Sequence, residues 1–311
     1  MQADSSRIFG LDIFRAFAII FVMIRHGGFM LNDTFLEGFP FFKMIDGVDL
    51  FFVLSGFLIG GILLKEVNKS GKFKLSNLIQ FWKRRWFRTL PNYYLILLLN
   101  YLIVNYGIIN GDIDDFSFHF ITFTHNFINP FYDFFWESWS LSIEEWFYIL
   151  IPILIFILHN FLSNKTAFLS STIIIITLPL IYRFSIYTPE IDDFWWDVTF
   201  RKTVLCRLDS IGYGLFCAWI YYYYSNFWRS IKIPLSILGL VLIVFITNYD
   251  SPANTLFSQT IYFSLIPFIA MLFLPIAESY KNGKGIISIC IQHISKISYS
   301  MYLINLGLVA Q

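Results

Sequence analysis

Charge is scarce in this sequence. Asp, Glu, Lys and Arg make up 14% of its 311 residues, where a soluble domain carries nearer one quarter. That shortage excludes an ordinary water-soluble globular domain. A net charge of only +1 also excludes a chain that draws nucleic acid by bulk attraction. Cysteine is scarce too. Cys206, Cys217 and Cys290 lie in or beside apolar segments, without metal-type spacing, and read as small buried hydrophobes. No low-complexity run, soluble appendage or internal repeat stands out.

What is present is hydrophobic: 57% of the residues, with 37 Phe, 18 Tyr and 9 Trp. Long apolar runs recur along the whole chain, which points to an all-α, polytopic integral membrane bundle in a lipid bilayer. One transmembrane domain over residues 1–311 is expected. Membrane segments are predicted near 9–30, 44–64, 91–109, 142–161, 166–187, 203–224, 232–248, 259–277 and 297–311, giving about nine to ten transmembrane helices. The last is too short for about 30 Å of hydrocarbon, so it reads as truncated, as in a fragment.

The few charges are distributed with a sign. Lys65, Lys69, Lys72, Lys74, Lys83, Arg84, Arg85 and Arg88 stand between segments two and three, against Glu66 alone. The next connection carries Asp112, Asp114, Asp115, Asp133 and Glu137 with no Lys or Arg. The alternation continues to the end of the chain. Positive residues mark cytoplasmic loops, so the N-terminus and residues 65–90 are expected inside and 110–140 outside. Residues 65–90 form a cationic interfacial segment within the domain.

The first apolar segment, LDIFRAFAIIFVMIRH, holds Asp12, Arg15, Arg25 and His26. A signal peptide needs an uninterrupted apolar core and a small-residue cleavage site, and neither is found. Ionisable groups inside a membrane helix are costly and mark functional sites. Arg15 and His26 are eleven residues apart, about three turns, so they share a face roughly 16 Å apart. Asp12, three residues before Arg15, falls on the same stripe within pairing reach. On the predicted topology His26 lies toward the outer face, as do Asp49, Glu144, Glu145, Arg207 and Asp209 near the starts or ends of other segments. Gly56 and Gly60 have the spacing that lets helices approach closely, beside Ser55. In the cytoplasmic stretch, Arg84, Arg85 and Arg88 either obey the positive-inside rule alone or grip the phosphates of a ligand. His119 and His125 read as ordinary loop histidines, and no metal ligand set is expected.

Several stretches together resemble the acyltransferase-3 family of bacterial membrane acyltransferases. Arg15 and His26 match its Arg-x10-His signature, and GVDLFFVLSGFLI (Gly47–Ile59) its second-helix motif. RRWFRTLP (Arg84–Pro91) is similar to its cytoplasmic Arg-rich motif. WSLSIEEWFY (Trp139–Tyr148) is similar to a motif that singles out Glu144 over Glu145. RLDSIGYG (Arg207–Gly214) and ISYSMYLIN (Ile297–Asn305) resemble two later motifs. The final motif usually ends in His, and Asn305 stands there instead, which places any role for that position in doubt.

The resemblance implies an O-acyltransferase of the bacterial cytoplasmic (inner) membrane. It would move an acyl group, often acetyl, from cytoplasmic acyl-CoA to a hydroxyl of lipopolysaccharide, peptidoglycan or exopolysaccharide. Acyl-CoA is then a donor substrate, and no permanently bound cofactor is implied. His26 is the expected catalytic residue, as general base or as acyl carrier, with Asp49 or Glu144 orienting it. Arg15 acts at the donor, Arg84, Arg85 and Arg88 hold its phosphates, and Asp12, Ser55, Tyr148, Arg207 and Asp209 give support. The alternative from the residues alone is an ion- or proton-coupled transporter, since intramembrane Asp, Glu, Arg and His also build proton relays. A structural scaffold leaves the buried charges unexplained.

Overall fold

The apolar runs become helices, and no strand occurs among the described residues. The computed structural model describes residues 7–27, 46–69, 73–128, 132–249 and 252–305. The long helices are α1 (Phe9–His26), α2 (Gly47–Lys69), α3 (Leu75–Asn105), α4 (Ser138–Leu158), α5 (Asn164–Ser185), α6 (Val204–Tyr223), α7 (Lys232–Thr247), α8 (Tyr262–Met271) and α9 (Gly285–Ile304). A short helix, Leu274–Ser279, follows α8, and one-turn helices fill the longer connections.

Two helices depart from the expected boundaries. The Arg-rich stretch and the third apolar segment form one helix of 31 residues, with Pro91 inside it. Residues 75–90 continue as helix because Lys83, Arg84 and Arg88 are exposed while Leu78 and Phe81 are buried. The last helix starts at Gly285, earlier than expected, and has 20 residues, about 30 Å, but over the described residues it is not among the helices apolar enough to cross a membrane. Ser288, Ser295 and Ser298 face its neighbours, and their polarity hid the first turns from a hydropathy reading. Residues 306–311, the end of the predicted segment, lie outside the described ones.

Among the described residues, four helices are long and apolar enough to cross a membrane: Gly47–Lys69, Ser138–Leu158, Asn164–Ser185 and Tyr262–Ser279. A fifth is added if Asp193–Arg201 and Val204–Tyr223 count as one span bent by 58°. The sequence led to nine or ten. α1 falls short of this measure because it carries Asp12, Arg15 and Arg25, and α7 because it has only 16 residues, about 24 Å.

α2 is the central element, packed along α6 and against α1 and α8. Gly56 and Gly214 make the α2–α6 approach possible. A Cβ on Gly56 would run into the Ile211 carbonyl, and one on Gly214 into the Val53 carbonyl. Gly60 packs on Ala218 and Leu215 of α6, so the small-residue spacing marks a real helix contact. α1 lies on α2 and α9. Its first amides, which have no partners within a helix, donate to Lys281 (3.2 Å) and Tyr280 (2.8 Å) carbonyls.

Two buried ion pairs cross the bundle. Arg207 of α6 bonds Asp49 of α2, and both are buried. Arg183 of α5 bonds Asp209 of α6 at 2.8 Å, both fully buried, and donates to Ser264 of α8 at 2.5 Å. The Ser264 hydroxyl completes the triangle to Asp209 at 2.6 Å. Burial of such charges requires pairing, and here the partners come from four helices, with Nε of Arg207 left without a hydrogen bond among the described residues.

Cys206 and Cys217 are buried, but Cys290 is exposed, which corrects the reading of all three as buried. It shares an exposed stretch of α9 with Ile286, Ile287 and Ile289. His125 is held in the connection between α3 and α4, between Ser138 (2.9 Å) and the Phe120 ring, stacked at 4.3 Å. Burial lowers its pKa to about 3.

Candidate active site

Three groups of polar side chains line α1, and they lie at different levels. At its first turns, Asp12 receives two bonds from Arg7, at 2.7 and 2.8 Å. Ser295 of α9 donates to Asp12 at 2.8 Å and accepts from Arg15 at 3.2 Å. Arg15 itself stands 3.7 Å from Asp12. The pairing expected between Asp12 and Arg15 is therefore a long one. The tight partner is Arg7, which hydropathy and motif reading passed over because it precedes the apolar run.

The second group joins α2, α3 and α4. Tyr148 donates to Glu144 at 2.9 Å, and the Ser55 hydroxyl lies 3.0 Å from the Tyr148 hydroxyl. The Arg85 guanidinium sits over the Tyr148 ring, 5.7 Å from its centroid. Trp82 donates to the Tyr148 carbonyl at 2.9 Å, which ties α3 to α4. Arg88 and Glu144 both act on the Arg15 charge, so this group faces Arg15. Glu145 points to the other side and accepts from Thr89 at 2.9 Å. The three arginines divide: Arg84 turns to Glu66 at 3.8 Å and is half exposed, whereas Arg85 turns inward. Consecutive residues on a helix point about 100° apart, so residues 84 and 85 cannot serve one face together.

The third group surrounds His26 at the other end of α1. Its Nδ1 lies 2.6 Å from Nδ2 of Asn305, the residue that closes α9. Neither Asp49 nor Glu144 bonds the ring. Asp49 is taken by Arg207, and Glu144 lies deeper in the bundle with Tyr148. The two acids expected to orient His26 are thus held by other partners in this structure. Asn305, whose role the sequence left in doubt, is the residue in contact.

Arg201, Lys202, Asp46 and Arg25 act on the His26 charge. Arg201 bonds Asp46 at 2.7 Å and Asp197 at 3.0 Å, and Lys202 bonds Asp197 at 2.7 Å. The Arg201 guanidinium lies 5.3 Å from the Trp139 ring centroid. Burial opposes the Asp46 carboxylate, but Arg201 and Arg25 together hold it well below the usual range. Residues Asp197–Arg201 form a π-turn just before α6, a feature frequent at functional sites. Sequence reading missed this cluster. The Asp197–Arg201 spacing of four was the one signal available for it.

His26 and Arg15 thus have different surroundings, one an amide and a ring of ion pairs, the other Asp12, Arg7, Arg88 and Glu144. The first arrangement suits proton transfer by imidazole, the second the binding of an anion beside a carboxylate–tyrosine pair.

Comparison with known proteins shows the family. A family model described as an acyltransferase domain, Acyl_transf_3, matches residues 8–310. An O-acetyltransferase OatA of Staphylococcus aureus is 35% identical over 165 residues, which is 49% of this chain and 25% of that protein. A peptidoglycan O-acetyltransferase OatA of Listeria monocytogenes is 26% identical over 296 residues, 80% of this chain and 45% of that protein. The chain therefore spans less than half the length of these two relatives. No solved structure matches. With the family model covering nearly the whole chain from α1 to α9, the chain belongs to the acyltransferase-3 family.

Proposed function

We propose that this protein transfers an acyl group, acetyl in the first instance, from cytoplasmic coenzyme A to a hydroxyl of an extracytoplasmic glycan. The observation that carries the proposal is the layout of α1. Arg15 faces Arg88 and Glu144 at one level, and His26 is held by Asn305 about 16 Å away along the same helix. Peptidoglycan is the first acceptor to test, because the Listeria relative bears that name.

In this proposal the domain is a single unit of the cytoplasmic membrane, with the N-terminus inside and all nine long helices crossing or lining the bilayer. Arg85 and Arg88 grip the donor phosphates through bidentate, charge-assisted bonds. Arg15 meets the donor deeper in the bundle, and Tyr148, fixed by Ser55 and Glu144, borders the same space.

His26 removes the proton as the glycan oxygen attacks the acyl carbon. The C–O bond forms, the C–S bond breaks, and the thiolate of coenzyme A leaves and is reprotonated. Imidazole suits this step because one ring nitrogen can accept the proton while the other keeps its hydrogen-bond partner. A covalent route, in which His26 first takes the acyl group and then passes it on, uses the same ring. Asp49, Arg207 and Asp209 hold the helices in register.

The experiment is thioester consumption by the purified full-length protein in lipid. Acetyl-coenzyme A should release free thiol only as a glycan acceptor gains ester. Solute counterflow without thiol release would replace this reading with a transporter.

A further inference from the structure

Among the described residues, the ends of α1 and α9 meet at one polar contact. Nδ2 of Asn305 lies 2.6 Å from Nδ1 of His26, and Asn305 is 4% exposed. So little exposure leaves the amide few water partners, and a buried amide needs bonds of its own. The acids near the ring are engaged elsewhere. Asp46 and Asp197 are bound by Arg201, Lys202 also takes Asp197, and Asp49 is bound by Arg207. Among the described residues, the ring's hydrogen-bond partner is thus neutral.

We propose that Asn305 is a positioning residue that holds His26 through Nδ1, so that Nε2 is the nitrogen offered to the acceptor hydroxyl. The partner at one imidazole nitrogen decides what the other can do. A carboxylate can only accept, so it fixes the proton on Nδ1 and stabilises the imidazolium. An amide serves both states. Its N–H donates to a bare Nδ1, and after a half-turn its Oδ1 accepts from Nδ1–H. With the proton on Nδ1, Nε2 has a free lone pair and takes the hydroxyl proton. With Nδ1 bare, Nε2–H is a donor. Asn305 keeps the ring in place through both states without adding a negative charge to a site already set by Arg25, Arg201, Lys202 and Asp46.

This inference rests on His26 as proton acceptor, so His26→Ala is run alongside as the control for that reading. The test is acetyl transfer from acetyl-coenzyme A to glycan by the full chain in lipid, measured from pH 5 to 9 as kcat and KM. Asn305→Ala should lower kcat by about 10- to 100-fold, the range for loss of an orienting partner, with KM for acetyl-coenzyme A within twofold. Asn305→Asp places a carboxylate on Nδ1. It should move the acid limb of the kcat profile to higher pH by a unit or more. A merely structural contact would lower the yield of folded protein and leave the pH profile of what remains unchanged. That result, or full kcat in Asn305→Ala, overturns the proposal. If Asn305→Ala fails to insert, the near-isosteric Asn305→Asp carries the test by its pH profile alone. Activity retained in His26→Ala would sink the proton-acceptor reading instead.

Discussion

Replacing Arg207 with Met strands the Asp49 carboxylate in the centre of the bundle. Asp49 is 3% exposed and Arg207 1% exposed, and their bond joins α2 to α6. The Arg207 guanidinium also lies over the Phe263 ring, 4.9 Å from its centroid. Removing one partner of a buried pair leaves an uncompensated charge and costs about 3–5 kcal/mol, a loss of roughly two to three and a half orders of magnitude in the folded-to-unfolded ratio. Removing both partners in favour of neutral groups of similar volume is close to neutral or stabilising. Arg207→Met should therefore sharply lower the melting temperature in detergent, and Asp49→Asn with Arg207→Met together should recover most of it. The double variant should also retain acyl transfer, because the pair here holds helices and does not touch His26. A double variant that melts normally and transfers nothing would refute this reasoning and return Asp49 to the chemistry.

Gly214→Val should destabilise the α2–α6 contact by about 1–3 kcal/mol, the cost of overpacking, because its Cβ meets the Val53 carbonyl; thermal melting of the variant checks it. Arg85→Lys with Arg88→Lys should weaken donor binding in a coenzyme A titration, whereas Arg84→Lys, which alters only the exposed contact to Glu66, should leave it near wild type. His125, with a folded pKa of about 3 against about 6.5 when unfolded, binds fewer protons folded than unfolded between those values. Stability is then fully present above pH 6.5 and falls on acidification toward pH 3, by at most about 1.4 kcal/mol per pH unit. His125→Gln should flatten that slope in melting curves taken from pH 4 to 7.

The helices were legible in the sequence because long apolar runs are a one-dimensional signal. The starts of α3 and α9 were not, because Arg84, Arg88, Ser288 and Ser295 are polar residues on turns whose other faces pack. The small-residue contact through Gly56 was legible from its spacing. At the site, the sequence named Arg15, His26, Glu144 and Tyr148 by motif and by helical phase. It missed Arg7, Asp46, Arg201 and the contact of Asn305. These join residues by separations of 155 and 279 positions, or lie at a helix end, and neither periodicity nor motif carries such pairings. Glu144 sits about two turns inside α4, beside Tyr148, Ser55 and Arg85, a lateral placement that hydropathy does not carry.

The central claim is that the imidazole of His26 performs the transfer. Its most direct test is His26→Ala, with membrane insertion and melting temperature matched to wild type, assayed for ester formation on a glycan from acetyl-coenzyme A. Loss of glycan ester, with donor binding at Arg85 and Arg88 preserved, is the predicted result. Ester formation at the wild-type rate would contradict the account.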